Sequence, residues 1–172
     1  MSEIREITGG LDGAGKRFGI VASRFNVRWV DGLIEGALEC LLGQGVARED
    51  IVIARVPGAW EIPLALQAMA TSGQVDALVA LGVVIRGETA HFDYICAECS
   101  RGISRVTEST GLPVGFGVLT CETEEQAAAR SGGRGQNKGR EAALAALEMA
   151  NLLSRLRGSA AAAPPVRARG RR

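Results

Sequence analysis

The sequence predicts an α/β protein in which helices cover both faces of a four-stranded parallel sheet. Four short apolar runs rich in valine and isoleucine alternate with segments of helical periodicity. This alternation is typical of βαβ units, and strands that are buried on both faces appear as continuous apolar runs. Because the crossovers between parallel strands are right-handed, the carboxyl ends of the strands should share one edge of the sheet. Ligands bind beyond that edge in open α/β sheets.

The first half of the chain supplies two strands and two helices. Residues 17–25 form the first predicted strand, and Asn26 is the expected N-cap of a helix that closes at a pair of glycines. The second strand is expected at 51–56. Pro63 suits the first turn of a helix over 64–70, because a helix leaves its first N–H groups unpaired.

The second half continues the same alternation. The longest apolar run, at 77–85, predicts a strand in the middle of the sheet, and a helix over 91–110 follows it. The fourth strand is expected at 114–119. Thr123, with glutamine three residues later, has capping-box spacing for a short helix, and the last helix is expected at about 140–156.

Length and composition predict one globular domain between two irregular ends. Residues 17–157 are enough for one core, and 47% of the chain is hydrophobic. Residues 1–16 are rich in glycine and read as a flexible arm, whereas 158–172 form an Arg/Ala/Pro-rich tail that is too poor in large apolar residues to pack. Six of the 20 basic side chains follow residue 154 without any acid, so the body is mildly acidic. We therefore expect no nucleic-acid partner.

The cysteines and the apolar segments indicate the compartment. Four cysteines, two of them in an isolated CxxC at 96–99, resemble neither a disulfide framework nor a paired metal-binding motif. The first residues lack the apolar region of a signal peptide, and no apolar run approaches the roughly 18 residues of a membrane span. These features predict a cytoplasmic protein without a membrane partner or a bound metal.

One sequence match is judged accidental. Residues 10–16 have the GxxxxGK spacing of a phosphate-binding loop. That loop needs a strand before it, a helix after it, and Ser or Thr beside the lysine. Here Arg17 follows the lysine and a strand is predicted next, so we do not expect nucleotide binding at this segment.

Polar and aromatic side chains follow the predicted strands and should converge at the shared edge. Phe25 and Asn26 follow the first strand, residues 59–61 the second, and residues 86–91 the third. His91 is the only histidine, and the unperturbed pKa of imidazole, ~6.5, lets it donate and accept a proton near neutrality. A lone histidine is often structural, but a position directly after a buried parallel strand favours a catalytic role.

Other groups near this edge could contact an anion such as phosphate or a flat ring. The backbone N–H groups of Glu88 and Thr89 precede a helix, where unpaired donors favour an anion. Arg130 and Lys138 flank a glycine-rich link and could contact a phosphate, although ordinary surface charge explains them equally well. The aromatic residues at the strand ends could stack on a flat heterocycle or simply pack in the core.

Five segments carry a resemblance to a known enzyme family. They read SRFN at 23–26, VPGAWEIP at 56–63, GVVIRGETAHFDY at 82–94, PVGFGVLTCETEEQAAAR at 113–130 and NKG at 137–139. In this order and spacing they resemble the lumazine synthases of riboflavin biosynthesis, from about residue 17 to about residue 156. The resemblance implies a three-layer sandwich of flavodoxin-like topology and a cytoplasmic transferase that needs neither cofactor nor metal.

The resemblance also implies substrates and residue roles. The family joins 5-amino-6-(D-ribitylamino)uracil to 3,4-dihydroxy-2-butanone 4-phosphate, which gives 6,7-dimethyl-8-ribityllumazine, phosphate and water. The catalytic residues would be His91, as the acid–base group, and Arg130, as the partner of the substrate phosphate. The expected substrate-binding residues are Phe25, Asn26, Ala59, Trp60, Glu61, Val83, Val84, Ile85, Glu88, Thr89, Phe116 and Lys138. Trp60 stands where the family often has phenylalanine.

A homo-oligomer is a further implication of the resemblance. In the family, a pentamer forms in which Phe116 and Arg130 complete the site of a neighbouring subunit. Some members close twelve pentamers into a 60-subunit icosahedral shell, and those members have a short link before the last helix. The link here, SGGRGQNKG at 131–139, is short but departs from the usual pattern. Pentamer and shell therefore both stay open.

The alternative from another class is a non-catalytic member of the family that binds a flavin or lumazine, or that forms a shell. Such a protein would have no need of a proton shuttle. The presence of Phe25, His91 and Arg130 together therefore favours the enzyme. A yellow protein that is inactive with both substrates would favour the alternative.

Overall fold

The computed structural model describes residues 4–132 and 136–161, with side chains up to residue 158. The elements in chain order are β1 (Phe18–Ser23), α1 (Val27–Gly43), β2 (Ile51–Val56), α2 (Ile62–Thr71), β3 (Ala77–Ile85), α3 (His91–Thr110), β4 (Val114–Cys121), α4 (Glu124–Ser131) and α5 (Lys138–Ala161). Single turns of 3₁₀-helix at Arg48–Asp50 and Ala59–Glu61 precede β2 and α2.

The strands form one parallel sheet in the order β2-β1-β3-β4. β1 pairs with β2 up to Ser23 opposite Val56, and β3 pairs with β4 up to Ile85 opposite Cys121. The carboxyl ends of the strands therefore share one edge, as the alternation of strands and helices predicted. The α/β fold class and its flavodoxin-like strand order are confirmed.

Two hydrophobic clusters, one on each face of the sheet, make the fold a three-layer sandwich. Alternate residues of β1 point to opposite faces, as the period of a strand requires. Phe18, Ile20 and Ala22 pack in the cluster that α1 and α5 cover, whereas Val21 packs in the cluster beneath α2 and α3. The sheet thus holds the strand ends on a scaffold that is buried from both sides.

The bounds of β2, β3 and α3 agree with the sequence analysis, whereas the bounds of other elements differ from the predicted ones. β1 is shorter than predicted, and β4 runs on to Cys121 instead of ending at residue 119. The last helix begins at Lys138 because the side chain of Asn137 accepts the N–H of Gly139 at 2.9 Å. It continues through residues 158–161, which the sequence analysis gave to the tail; residues 162–172 lie outside the described part.

Asn26 occupies the N-cap position of α1, as predicted, but its side chain does not cap the helix. Asn26 has a left-handed backbone, with φ of 58°, and its side chain makes no cap hydrogen bond. Its Nδ2 instead donates to the carbonyl oxygen of Val83 at 2.8 Å. A short polar side chain is needed here both for the left-handed conformation and for the bond that joins the ends of β1 and β3.

The N-terminal segment lies against the domain. In residues 4–16 the chain forms no helix or strand, but Nδ2 of Asn151 in α5 donates to the carbonyl oxygens of Gly10 at 2.7 Å and Asp12 at 3.0 Å. β1 follows this segment directly, so the GxxxxGK match does not open a helix and its dismissal as a phosphate loop is confirmed. No helix in the described residues is long and apolar enough to span a membrane.

Candidate active site

A cleft of about 750 Å³ opens beyond the carboxyl ends of β1, β2 and β3. This volume lies within the range of ordinary small-molecule sites, about 300–1,000 Å³. Its lining comes from the end of β3, from the turns that follow the three strands and from the first turns of α3: Phe25, Pro57, Gly58, Ala59, Trp60, Glu61, Val83, Val84, Ile85, Gly87, Thr89, His91, Phe92, Tyr94 and Ile95. The predicted convergence at this edge of the sheet is thus confirmed for the majority of the named residues.

Aromatic rings line the mouth of the cleft and remain open to solvent. Phe25 is 72% exposed and Trp60 is 57% exposed, so neither ring packs in the core. The sequence analysis left core packing open for both residues, and the structure decides against it. Exposed rings beside an apolar strand end provide flat surfaces on which a planar heterocycle can stack.

The turn after β2 is held by its own carboxylate. Glu61 accepts the backbone N–H of Gly58 on Oε2 at 2.9 Å, which closes the single turn of 3₁₀-helix before α2. Ala59 is buried beneath this turn, while Trp60 points outward. The local hydrogen bond therefore fixes the backbone from which the cleft presents these three residues.

His91 begins α3 at the edge of the cleft. It is exposed, and its backbone N–H donates to Oγ1 of Thr89 at 3.4 Å. In the described residues the imidazole makes no hydrogen bond to the protein, and the N–H groups of Glu88, Thr89 and Ala90 donate to no backbone carbonyl. A proton-transfer group and free N–H donors at a helix start thus lie side by side, which suits an anionic ligand.

Arg86 fixes the turn that carries these groups. Its guanidinium donates to both carboxylate oxygens of Asp93, at 3.0 and 3.3 Å, and its Nε donates to Glu122 at 2.7 Å. The guanidinium carbon also lies 4.2 Å from the centroid of the Phe92 ring. The hydrogen bonds to Asp93 and then Glu122 raise the pKa of Arg86 above its ordinary value. The first turn of α3 is therefore tied to the ends of β3 and β4.

Five predicted site residues do not line this cleft. Asn26 lies just behind it, bonded to Val83, and the side chain of Glu88 is exposed outside it. Phe116, which is 50% exposed on the edge strand β4, lies elsewhere, as do Arg130 and Lys138. Arg130 donates to the carbonyl of Gln126 at 3.0 Å, and Lys138 donates to Glu141 at 2.6 Å. A single chain thus brings together only part of the predicted set.

Burial disfavours the thiolate form of all four cysteines. All four are free thiols, and burial raises the pKa of Cys99 to about 12. Burial also raises the pKa of Cys40, Cys96 and Cys121. No group of three His, Cys, Asp or Glu residues placed to hold a metal ion occurs in residues 4–132 and 136–158.

A second cleft, of about 620 Å³, lies at the opposite edge of the sheet. Arg17, Val52 and Met69 are among its lining residues. None of the predicted site residues belongs to it. The predicted site residues that line a cleft therefore all line the one at the carboxyl edge.

Comparison with known proteins identifies the family. The family model of 6,7-dimethyl-8-ribityllumazine synthase matches residues 15–154 of the chain. The chain belongs to the lumazine synthase family. The 6,7-dimethyl-8-ribityllumazine synthase of Desulfatibacillum aliphaticivorans is 53% identical over 148 residues, which cover 86% of this chain and 96% of that protein. The enzyme of the same name from Aquifex aeolicus strain VF5 is 52% identical over 149 residues, 87% of this chain and 97% of that protein.

Membership of the lumazine synthase family confirms the resemblance stated from the sequence motifs. The match covers all nine helices and strands of the described part except the end of α5. It begins after the glycine-rich start of the N-terminal segment and ends before the basic tail. All residues that line the cleft therefore lie within the region that matches the family.

Sequence reasoning missed several residues around the cleft. Tyr94 and Ile95 lie one turn after His91 on α3, so helical periodicity alone would have placed them on the same face. The role of Arg86 was not foreseen, because Glu122 and Asp93 are brought to it by the pairing of β3 with β4 and by the start of α3. Only the fold reveals such a contact.

Proposed function

We propose that the chain condenses 5-amino-6-(D-ribitylamino)uracil with 3,4-dihydroxy-2-butanone 4-phosphate to form 6,7-dimethyl-8-ribityllumazine, the penultimate step of riboflavin biosynthesis. The observation that carries the proposal is the cleft in which exposed rings, a solitary histidine and free backbone N–H donors meet. Family membership and two enzymes of that name at 53% and 52% identity support it.

The proposed reaction needs proton transfer at several steps. The 5-amino nitrogen attacks the ketone carbonyl and releases water as an imine forms. Loss of the C3 proton and of inorganic phosphate then leaves an enol, which tautomerises to a ketone. Attack of the ribitylamino nitrogen on this ketone closes the ring with loss of a second water. Protons must leave the attacking nitrogens and reach the departing oxygens. His91 supplies this transfer, since it is the only histidine and its ring faces the cleft unpaired within the described residues.

The two substrates occupy different parts of the cleft in this proposal. The pyrimidine ring stacks on Phe25, with Trp60 beside it, and the strand end at 83–85 contacts the ring. Asn26 and the turn formed by Ala59 and Glu61 hold the ribityl chain and the ring edge. Binding both molecules in attack geometry supplies much of the remaining rate enhancement.

The phosphate of the second substrate binds at the start of α3. The free N–H groups of Glu88 and Thr89 support this placement, because a helix start favours an anion. Arg130 pairs with the phosphate through its guanidinium, and Lys138 adds a second positive charge. Neither cation lines the cleft of its own chain, which supports a site that is completed by residues of another copy.

The active enzyme is therefore a homo-oligomer in this proposal, with Phe116 and Arg130 completing the site of a neighbouring subunit. Exposed large apolar side chains support such an interface: Leu64 is 77% exposed and Phe116 is 50% exposed. A pentamer is the basic assembly, and a 60-subunit shell is its larger form. The enzyme works in the cytoplasm, without cofactor, metal or nucleic acid.

The experiment that tests the function is lumazine formation by the purified chain. Both substrates are mixed with fractions from a sizing column, and the absorbance of the product is followed. Turnover in a pentamer-sized or larger fraction is expected. A folded assembly that binds a yellow chromophore but does not turn over would overturn the enzyme and favour a binding protein.

A further inference from the structure

Asn137 is a buried polar residue, 6% exposed, at the start of α5. Its Oδ1 accepts the backbone N–H groups of Gly139 at 2.9 Å and Arg140 at 3.1 Å. Its Nδ2 donates to the carbonyl oxygens of Gly32 in α1, at 2.8 Å, and of Ser131 at the end of α4, at 3.3 Å. One amide therefore joins three helices.

Two glycines of α1, Gly32 and Gly36, leave room for this amide and for the end of α4. A Cβ on Gly32 would lie 2.1 Å from the carbonyl oxygen of Ser131, and a Cβ on Gly36 would lie 2.2 Å from Oδ1 of Asn137. Real Cβ atoms do not approach other atoms so closely. The two glycines, one turn apart, thus let the end of α4 and the side chain of Asn137 pack directly on the backbone of α1.

In sequence, Ser131 and Asn137, which this amide joins, are each next to a cation that is proposed to bind phosphate. Arg130 immediately precedes Ser131, and Lys138 immediately follows Asn137. The acceptor side of the amide is explained by capping of α5, because an N-cap residue needs only an oxygen. The donor side is not explained by capping, since the bonds to Gly32 and Ser131 add nothing to the start of the helix.

We propose that Asn137 is a positioning residue that fixes Arg130 and Lys138 relative to each other and so sets the affinity for the phosphorylated substrate. Asn137 is buried and acts through those two side chains rather than on the substrate. The inference rests on the proposed function and deepens it by naming what holds the phosphate-binding cations in place.

The test distinguishes the hydrogen bonds that Nδ2 of Asn137 donates from the bonds by which its Oδ1 caps α5. Asn137→Ser keeps an oxygen that caps α5 well, but its shorter side chain cannot reach Gly32 and Ser131. The matched control is Asn151→Ser in the same helix, where Nδ2 also bridges two carbonyl oxygens, at 2.7 and 3.0 Å, on the N-terminal segment. KM for each substrate and kcat are measured, together with the affinity for inorganic phosphate by calorimetry.

Asn137→Ser is expected to raise KM for the butanone phosphate and the Kd for inorganic phosphate about tenfold or more, since displacement of about 1 Å can cost ~10²-fold. KM for the ribityl substrate should stay at the wild-type value, and Asn151→Ser should change none of these constants. A purely structural role would instead lower kcat by reducing the active fraction and leave both KM values unchanged.

Gly36→Ala provides an independent route to the same displacement, because its methyl group must push Asn137 away from α1. It replaces Asn137→Ser in the test if that variant fails to fold. Wild-type affinity for phosphate in either folded variant, or an equal rise in both KM values, would overturn the positioning role. An inactive wild type would overturn the proposed function instead, and calorimetry with phosphate would still test the positioning role.

Discussion

At the scale of single residues, the proposed chemistry depends on the solitary imidazole of His91 beside the turn that is proposed to bind phosphate. His91→Ala is expected to lower kcat about 10²- to 10⁴-fold, because general acid–base catalysis typically contributes that factor. Initial rates at saturating substrates measure it, and His91→Asn serves as the companion variant that keeps a polar side chain without a proton shuttle. Wild-type turnover in either variant would remove His91 from the mechanism.

The residues that sequence reasoning placed correctly are those that follow strands. Phe25, Trp60 and His91 come directly after a strand or its turn, and parallel pairing alone carries them to one cleft. Asn26 was predicted with the wrong contact, because a cap is a local pattern whereas its bond to Val83 spans two strands. Asn137 was read only as part of a motif, since its partners in α1 and α4 are brought to it by packing.

At the scale of elements, an ion pair joins the amino ends of β1 and β3, opposite the cleft. The Arg17 guanidinium donates to Asp76 at 2.9 Å, and the backbone N–H of Arg17 donates to the same carboxylate. The hydrogen bond from Arg17 lowers the pKa of Asp76 below 3.8. A carboxyl whose pKa is lower in the folded state contributes stability above pH 3.8, and this contribution is lost as pH falls through the lowered pKa.

Asp76→Asn should therefore lower the midpoint of thermal unfolding at pH 7 by roughly 1–4 °C, as expected for a partly exposed ion pair in a chain of this size. The difference from the wild type should shrink as the pH is lowered below 3.8. Asp31→Asn is the matched control, since it removes the exposed pair of Asp31 with Arg55. An equal, equally pH-dependent change in the control would assign the effect to net charge.

The bounds of an element could be predicted where its own residues show a clear hydrophobic pattern. They could not be predicted where contacts with other elements determine them. β3 and α3 have the predicted bounds, because a long apolar run and a long amphipathic stretch determine them locally. The start of α5 was placed two residues late because its cap, Asn137, looked like part of a glycine-rich link. Phe116, Arg130 and Lys138 do not line the cleft of their own chain, so the geometry of one chain does not bring these proposed site residues to the others.

At the scale of the whole molecule, the proposed site is shared between subunits, and complementation tests this. His91→Ala and Arg130→Ala chains are co-expressed, each being nearly inactive alone. If Arg130 serves the neighbouring subunit, random mixing in a ring leaves about a quarter of the sites with both wild-type residues. Activity of the mixed assembly should then recover to about a quarter of the wild-type value.

Co-expression of His91→Ala with His91→Asn is the control, because no arrangement of these two chains restores a complete site. Recovery is measured on the assembled fraction from a sizing column. If the mixture of His91→Ala and Arg130→Ala stays as inactive as the control, both residues act within one chain. That outcome would contradict the shared site while leaving the enzyme itself intact.

The bond between Asn137 and Ser131 has a consequence for how this chain can vary. Asn137, at the end of the link between α4 and α5, donates to Gly32 in α1 and to Ser131 at the start of the link, so the two ends stay joined when the residues between them are lengthened. The entropic cost of closing a longer loop grows only slowly with its length. Insertions between Ser131 and Asn137 should therefore be tolerated as long as the bond between these two residues is kept.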